Sequence, residues 1–129
     1  MLDVGGLSEA AAAKAWIAAV LDEQFDEEAE LQALLRSGVL LCKLVNAVSP
    51  GVVSKTNGSN MPFAHMENIG NFTKACKLLH VEPIFDTPDL YEAKNMKTVV
   101  QCVHSLARTA RSLRYDGPLL PPQMERMHI

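Results

Sequence analysis

The ten residues from Val39 to Val48 are apolar except for Lys43 and Asn46, and stops bracket them: Ser37-Gly38 before, Ser49-Pro50-Gly51 after. A helix with this pattern is apolar nearly all round, so it must sit in the middle of a fold with other elements covering it. That requirement constrains the chain more than any other feature. It asks for amphipathic neighbours, and the remaining periodicity shows of what kind.

Trp16, Ile17, Val20 and Leu21 recur at helical spacing behind Ser8, a good N-cap, which predicts a helix from about Glu9 to Asp22 with Lys14 on its outer side. The acids that follow, up to Glu30, suit the positive first turn of a short helix ending near Arg36, with Leu31, Leu34 and Leu35 inward. Residues 49–63 read as a long loop rich in Pro, Gly, Ser and Asn. From Ala64 to Leu79 the period returns, with Ile69, Phe72, Cys76 and Leu79 on one face and Lys74 and Lys77 on the other. Thr87 is expected to cap, and Pro88 to open, a short helix through Tyr91. Asn95 then caps a last long helix whose inner stripe is Val99, Val100, Val103, Leu106, Ala107, Ala110 and Leu113. No stretch alternates long enough to argue a sheet. The reading is a compact all-α domain over 9–114, with four longer helices and two or three short ones. Residues 1–8 form an N-terminal tail and 115–129 a proline-containing tail or linker.

A net charge of −3 does not favour non-specific nucleic-acid binding. The charge is uneven, however. Residues 1–35 hold eight acids against the single base Lys14, a balance of −7, and the rest of the chain stands at +4. Cys42, Cys76 and Cys102 form no C-x-x-C pair and each lies in an apolar helical stretch, which predicts reduced thiols in a cytosolic core. No apolar run approaches the roughly 18 residues of a membrane span. The acidic start argues against a signal peptide.

Catalytic patterns are missing. His65, His80, His104 and His128 have no metal-ligand partner at helical spacing, and the sequence contains no H-E-x-x-H, phosphate-binding glycine loop or G-x-S-x-G. Cys76 with a distant histidine is better explained by core packing. The expectation is a non-enzyme with no cofactor and no metal. The surface is more informative. Lys97, Gln101, His104, Arg108 and Arg111 step by four, three, four and three, making one polar stripe along the last helix. Its cations suit an acidic protein surface, with His104 adding pH sensitivity. The same stripe also suits an ordinary solvated face.

Four pieces of sequence, in order, carry a resemblance. They are Trp16 in the first helix, Ser37-Gly38-Val39-Leu40-Leu41-Cys42-Lys43-Leu44-Val45-Asn46, Met66-Glu67-Asn68-Ile69-Gly70-Asn71-Phe72, and Asp89-Leu90-Tyr91-Glu92 with Asn95-Met96. Together they resemble a calponin-homology domain over about residues 9–113. The similarity is greatest to the single-domain calponin and transgelin type, with kinship to the domain that opens IQGAP-like scaffolds. Ser37 stands where that family often has aspartate, and either residue can cap the next helix. The resemblance implies that Trp16, Leu40, Leu41, Leu44, Ile69 and Phe72 are core, that Asp89 and Asn95 cap helices, and that Asn68 and Asn71 hydrogen-bond to loops.

It also implies a cytoplasmic, cytoskeleton-associated module that binds F-actin or another cytoskeletal or signalling protein, as a monomer and without nucleic acid or membrane. Actin is acidic, so Lys97, Arg108 and Arg111 are the expected contacts, with Lys74, Lys77 and Lys94 extending them and the acids from Asp22 to Glu30 off the contact face. The alternative is a regulatory interaction domain of a signalling or scaffold protein with little or no direct F-actin binding.

Overall fold

The computed structural model describes residues 8–113 and 115–119 of the 129-residue chain. Among these residues are six helices and no strand: α1 Glu9–Leu21, α2 Leu31–Leu35, α3 Val39–Val48, α4 Pro62–Leu78, α5 Thr87–Tyr91 and α6 Met96–Ser112. The helical periodicity is borne out except at Leu113, expected on the inner stripe of the last helix, which caps α6 at its end and is exposed. Ser8 caps α1, its Oγ accepting from the Ala11 amide at 3.0 Å, and Ala12, Ala13, Trp16 and Ile17 turn inward.

α3 packs against α1, α2 and α4, burying Leu41, Cys42, Leu44, Val45 and Val48, while α6 packs on α1 and α5. Leu40 is only partly buried, lying against the core's edge. α3 shares the centre with α6, in which every residue from Cys102 to Ala107 is buried. The sequence pattern underrates α6 because His104 and Ser105 are polar, yet both are covered.

The entry into α3 depends on close approach. Gly38, not Ser37, is the N-cap, with φ 78 in the left-handed region. A Cβ there would lie 2.6 Å from Asn68 Cβ and 2.8 Å from the Ile69 nitrogen. Glycine lets α3 start against the backbone of α4. Ser37 plays a lesser part, its Oγ accepting from the Val39 amide at 3.3 Å.

Fully buried Asn68 ties three segments together. Its Oδ1 accepts from the Asn57 amide at 2.8 Å, and its Nδ2 donates to the carbonyls of Ser37 at 3.0 Å and Asn57 at 2.8 Å. These bonds satisfy a polar side chain that burial would otherwise penalise. They also hold the 49–61 loop to the start of α3.

Two further expectations need correction. The acids before α2 do not enter its first turn: Glu30 is an N-cap without a side-chain bond, and Leu31 and Leu35, with Leu34 only partly buried, face the core. The segment instead wraps over α1, where Lys14 Nζ donates to the carbonyls of Asp26, Glu27 and Ala29 at 2.8, 3.3 and 2.7 Å. Three backbone acceptors converge there on one ammonium, which only a tertiary turn can arrange. Thr87 likewise does not cap α5. Asp86 does, in a capping box where Asp89 Oδ2 accepts from the Asp86 amide at 2.9 Å, and Thr87-Pro88 occupy the first turn. Asp86 carries the better-placed carboxylate one residue earlier.

Candidate functional site

α6 is fixed at its start by Asn95, whose Oδ1 accepts from the Thr98 amide at 3.2 Å. Its apolar residues fill the core, so only a narrow side is left to solvent. Lys97, Arg108 and Arg111 lie exposed on this helix, with Gln101 half-buried between them. Lys94, exposed just before the cap, pairs with Glu92 at 3.4 Å. At such exposure that pair contributes about 0–1 kcal/mol and leaves the ammonium accessible.

His104 is not part of the solvent stripe. It is 2% exposed, and its Nε2 lies 2.8 Å from the Glu9 carbonyl. A carbonyl only accepts, so Nε2 carries the hydrogen. The imidazole holds the first turn of α1 against α6, which removes the pH-sensitive contact expected at the surface. The helical angle alone could not show this, because His104 sits at the border of the apolar face and it is α1 that covers it. The same approach brings Glu9 beside the cations: Glu9, Pro83, Gln101, His104 and Arg108 line a cavity of about 230 Å³. The basic side of α6 therefore has an acid at its edge, a feature the one-dimensional stripe does not reveal.

Lys74 and Lys77 are exposed on α4, opposite Ile69, Phe72 and Cys76. α4 and α6 meet through Cys76 and Cys102, whose sulfurs are 4.0 Å apart. The six candidate cations thus form two sets, one on and just before α6 and one on α4. The turn beginning after Lys77 leads to Pro83, which faces Arg108 across the cavity. The acids from Asp22 to Glu30 lie on the turn that folds over α1. Lys14 anchors their turn from a position about 160° round α1 from buried Trp16.

Among the described residues no group of three or more His, Cys, Asp or Glu can hold a metal ion, and no helix is long and apolar enough to cross a membrane. The thiols are not poised as nucleophiles. The hydrogen bond with Cys102, and then burial, push the Cys76 thiol far up. Burial likewise raises Cys42, against a smaller lowering from Thr56. A protonated, enclosed thiol is a packing group.

Comparison with known proteins places this geometry. The chain matches the calponin homology (CH) domain family over residues 7–112. It is 40% identical to muscle-specific protein 20 of Drosophila melanogaster over 114 residues, 86% of this chain and 62% of that protein. To transgelin of Schizosaccharomyces pombe it is 35% identical over 123 residues, covering 89% of this chain and 70% of the relative. Among solved structures, the calponin-homology domain of Rng2 from Schizosaccharomyces pombe superposes with a TM-score of 0.76 at 29% identity, over 89% of this chain and 74% of that one. The chain spans less than two thirds of the length of muscle-specific protein 20. The six-helix fold superposes on a solved calponin-homology domain and the family match runs over nearly the whole described chain, so the chain belongs to the calponin homology domain family.

Proposed function

We propose that this domain is a non-enzymatic, cytoskeleton-associated module of the cytoplasm that binds actin filaments through Lys97, Arg108 and Arg111 of α6. Lys94 extends that surface at the start of the helix, and Lys74 and Lys77 flank it on α4. The observation supporting this reading most directly is the retention of three exposed cations on a helix otherwise given over to the core. Membership of a family that includes transgelin-like relatives supports the cytoskeletal role. Contact between such a surface and an acidic filament is electrostatic, so it weakens as salt shortens the screening length.

The test is co-sedimentation of the purified chain with F-actin at low and at physiological salt. The expected result is saturable pelleting that weakens with salt. The pair R108E and R111E should abolish it while leaving helicity and the melting temperature unchanged, since both side chains are exposed. Pelleting that survives this reversal would remove α6 as the contact, and no pelleting at either salt would sink the actin reading.

A further inference from the structure

A second surface runs along α4 and includes Lys74. Two hollows of about 390 and 190 Å³ run along it, share Lys55 and Asn71, and so form one trough between α4 and the 52–58 loop. The loop wall is held from both helices. Asn46 of α3 bonds the Val53 amide at 2.9 Å and its carbonyl at 3.0 Å. Asn68 of α4 clasps Asn57, and Asn71 Nδ2 donates to the Lys55 carbonyl at 3.4 Å. A wall fixed in this way needs little ordering when something enters, which favours binding.

The chemistry of the trough is specific. Lys55 and Lys74 stand at its margins, both exposed and without an ion-pair partner among the described residues, and Leu78 is 70% exposed at its end with Val52 opposite. Glu67, the one acid lining it, is already bonded by Asn57 Nδ2 at 3.2 Å. Phe63, 63% exposed, continues the same edge, since residues 63, 67, 71, 74 and 78 step by four, four, three and four. Phe63 and Leu78 therefore stand about 22 Å apart at 1.5 Å per residue, the reach of an extended segment of about seven residues.

We propose that this trough binds an extended acidic segment of another protein, its carboxylates on Lys55 and Lys74 and an apolar side chain over Leu78 and Val52. Charge complementarity selects the acidic partner. The exposed apolar ends select a peptide over a simple polyanion, which would leave Leu78 and Phe63 uncovered. The inference shares Lys74 with the flank of the actin surface but needs none of Lys97, Arg108 or Arg111, so the two readings can fail separately.

The probe is a fluorescein-labelled peptide of alternating glutamate and leucine, titrated by anisotropy beside an all-glutamate peptide of equal length. The leucine-containing peptide should bind at least about tenfold tighter. K74E and L78S should each weaken it by about tenfold or more, with melting unchanged because both residues are exposed. The α6 variant R108E/R111E should bind the peptide normally, and L78S, which keeps every cation proposed to meet actin, should still pellet with F-actin. Equal affinity for the two peptides would reduce the trough to general polyanion attraction and overturn the proposal. So would binding that K74E and L78S leave intact.

Discussion

The indole nitrogen of Trp16 donates to the carbonyl of Pro118 at 2.8 Å across a sequence separation of 102 residues. The segment after α6 therefore returns to the first helix. Tyr115 supports the return: its amide bonds the Ala110 carbonyl at 3.1 Å and its ring packs on the core. Burial also raises the Tyr115 hydroxyl above its ordinary pKa.

Trp16 is the chain's single tryptophan, so its fluorescence reports this contact without interference. A chain ending at Leu113 should show a red-shifted emission maximum relative to one ending at Leu119, because the indole loses its cover. The lost hydrogen bond and packing should lower unfolding free energy by about 1–2 kcal/mol in urea. Identical emission and stability in the two chains would show that the Pro118 contact is incidental.

Gly38 and Gly51 both have left-handed backbone, with φ 78 and φ 81, yet only Gly38 is hemmed in. The pair separates strain from clash. Alanine at Gly51 meets open space and should cost about 1 kcal/mol from backbone conformation alone. At Gly38 the Cβ would run into Asn68 and Ile69 as well, forcing α3 and α4 apart, and the cost should be about 2–4 kcal/mol. Thermal melts followed by circular dichroism check the order, and equal losses would refute the close-approach role of Gly38.

These examples mark what the sequence could and could not reveal. Ser8 and Asn95 were legible as caps because capping is local, set by a side chain and the two or three amides that follow it. The core residues Trp16, Ile69 and Phe72 were legible because period and apolarity agree. His104 was not, since its burial depends on α1 crossing it, and a helical wheel carries no information about a neighbour. The period of α1 places Lys14 away from Trp16, but its three carbonyl partners come from a turn that folds back over it. The same limit hid the trough, whose loop wall is fixed by Asn46, Asn68 and Asn71 acting from two helices. Helical spacing alone puts Lys97 and Arg108 on one exposed side, whereas only tertiary packing brings Glu9 beside Arg108.

Cys42, Cys76 and Cys102 are each fully buried, and the thiol of Cys42 donates to the Asn68 carbonyl at 3.3 Å. Iodoacetamide at pH 8 should therefore leave the folded domain unlabelled by mass and modify all three thiols once urea unfolds it. The raised Cys42 and Cys76 values also fix a direction for stability. Below the ordinary thiol pKa of 9.0, both folded and unfolded chains keep these protons, and the full stability is present. Above it the unfolded chain releases its protons first while the folded chain holds them, so the unfolded state gains and stability falls as pH rises. Urea midpoints should hold between pH 7 and pH 8 and drop by pH 10, with a shallower drop in C76A than in the parent. Rapid labelling of the folded chain, or equal slopes for C76A and the parent, would show that the thiols are open to solvent and do not contribute to this loss.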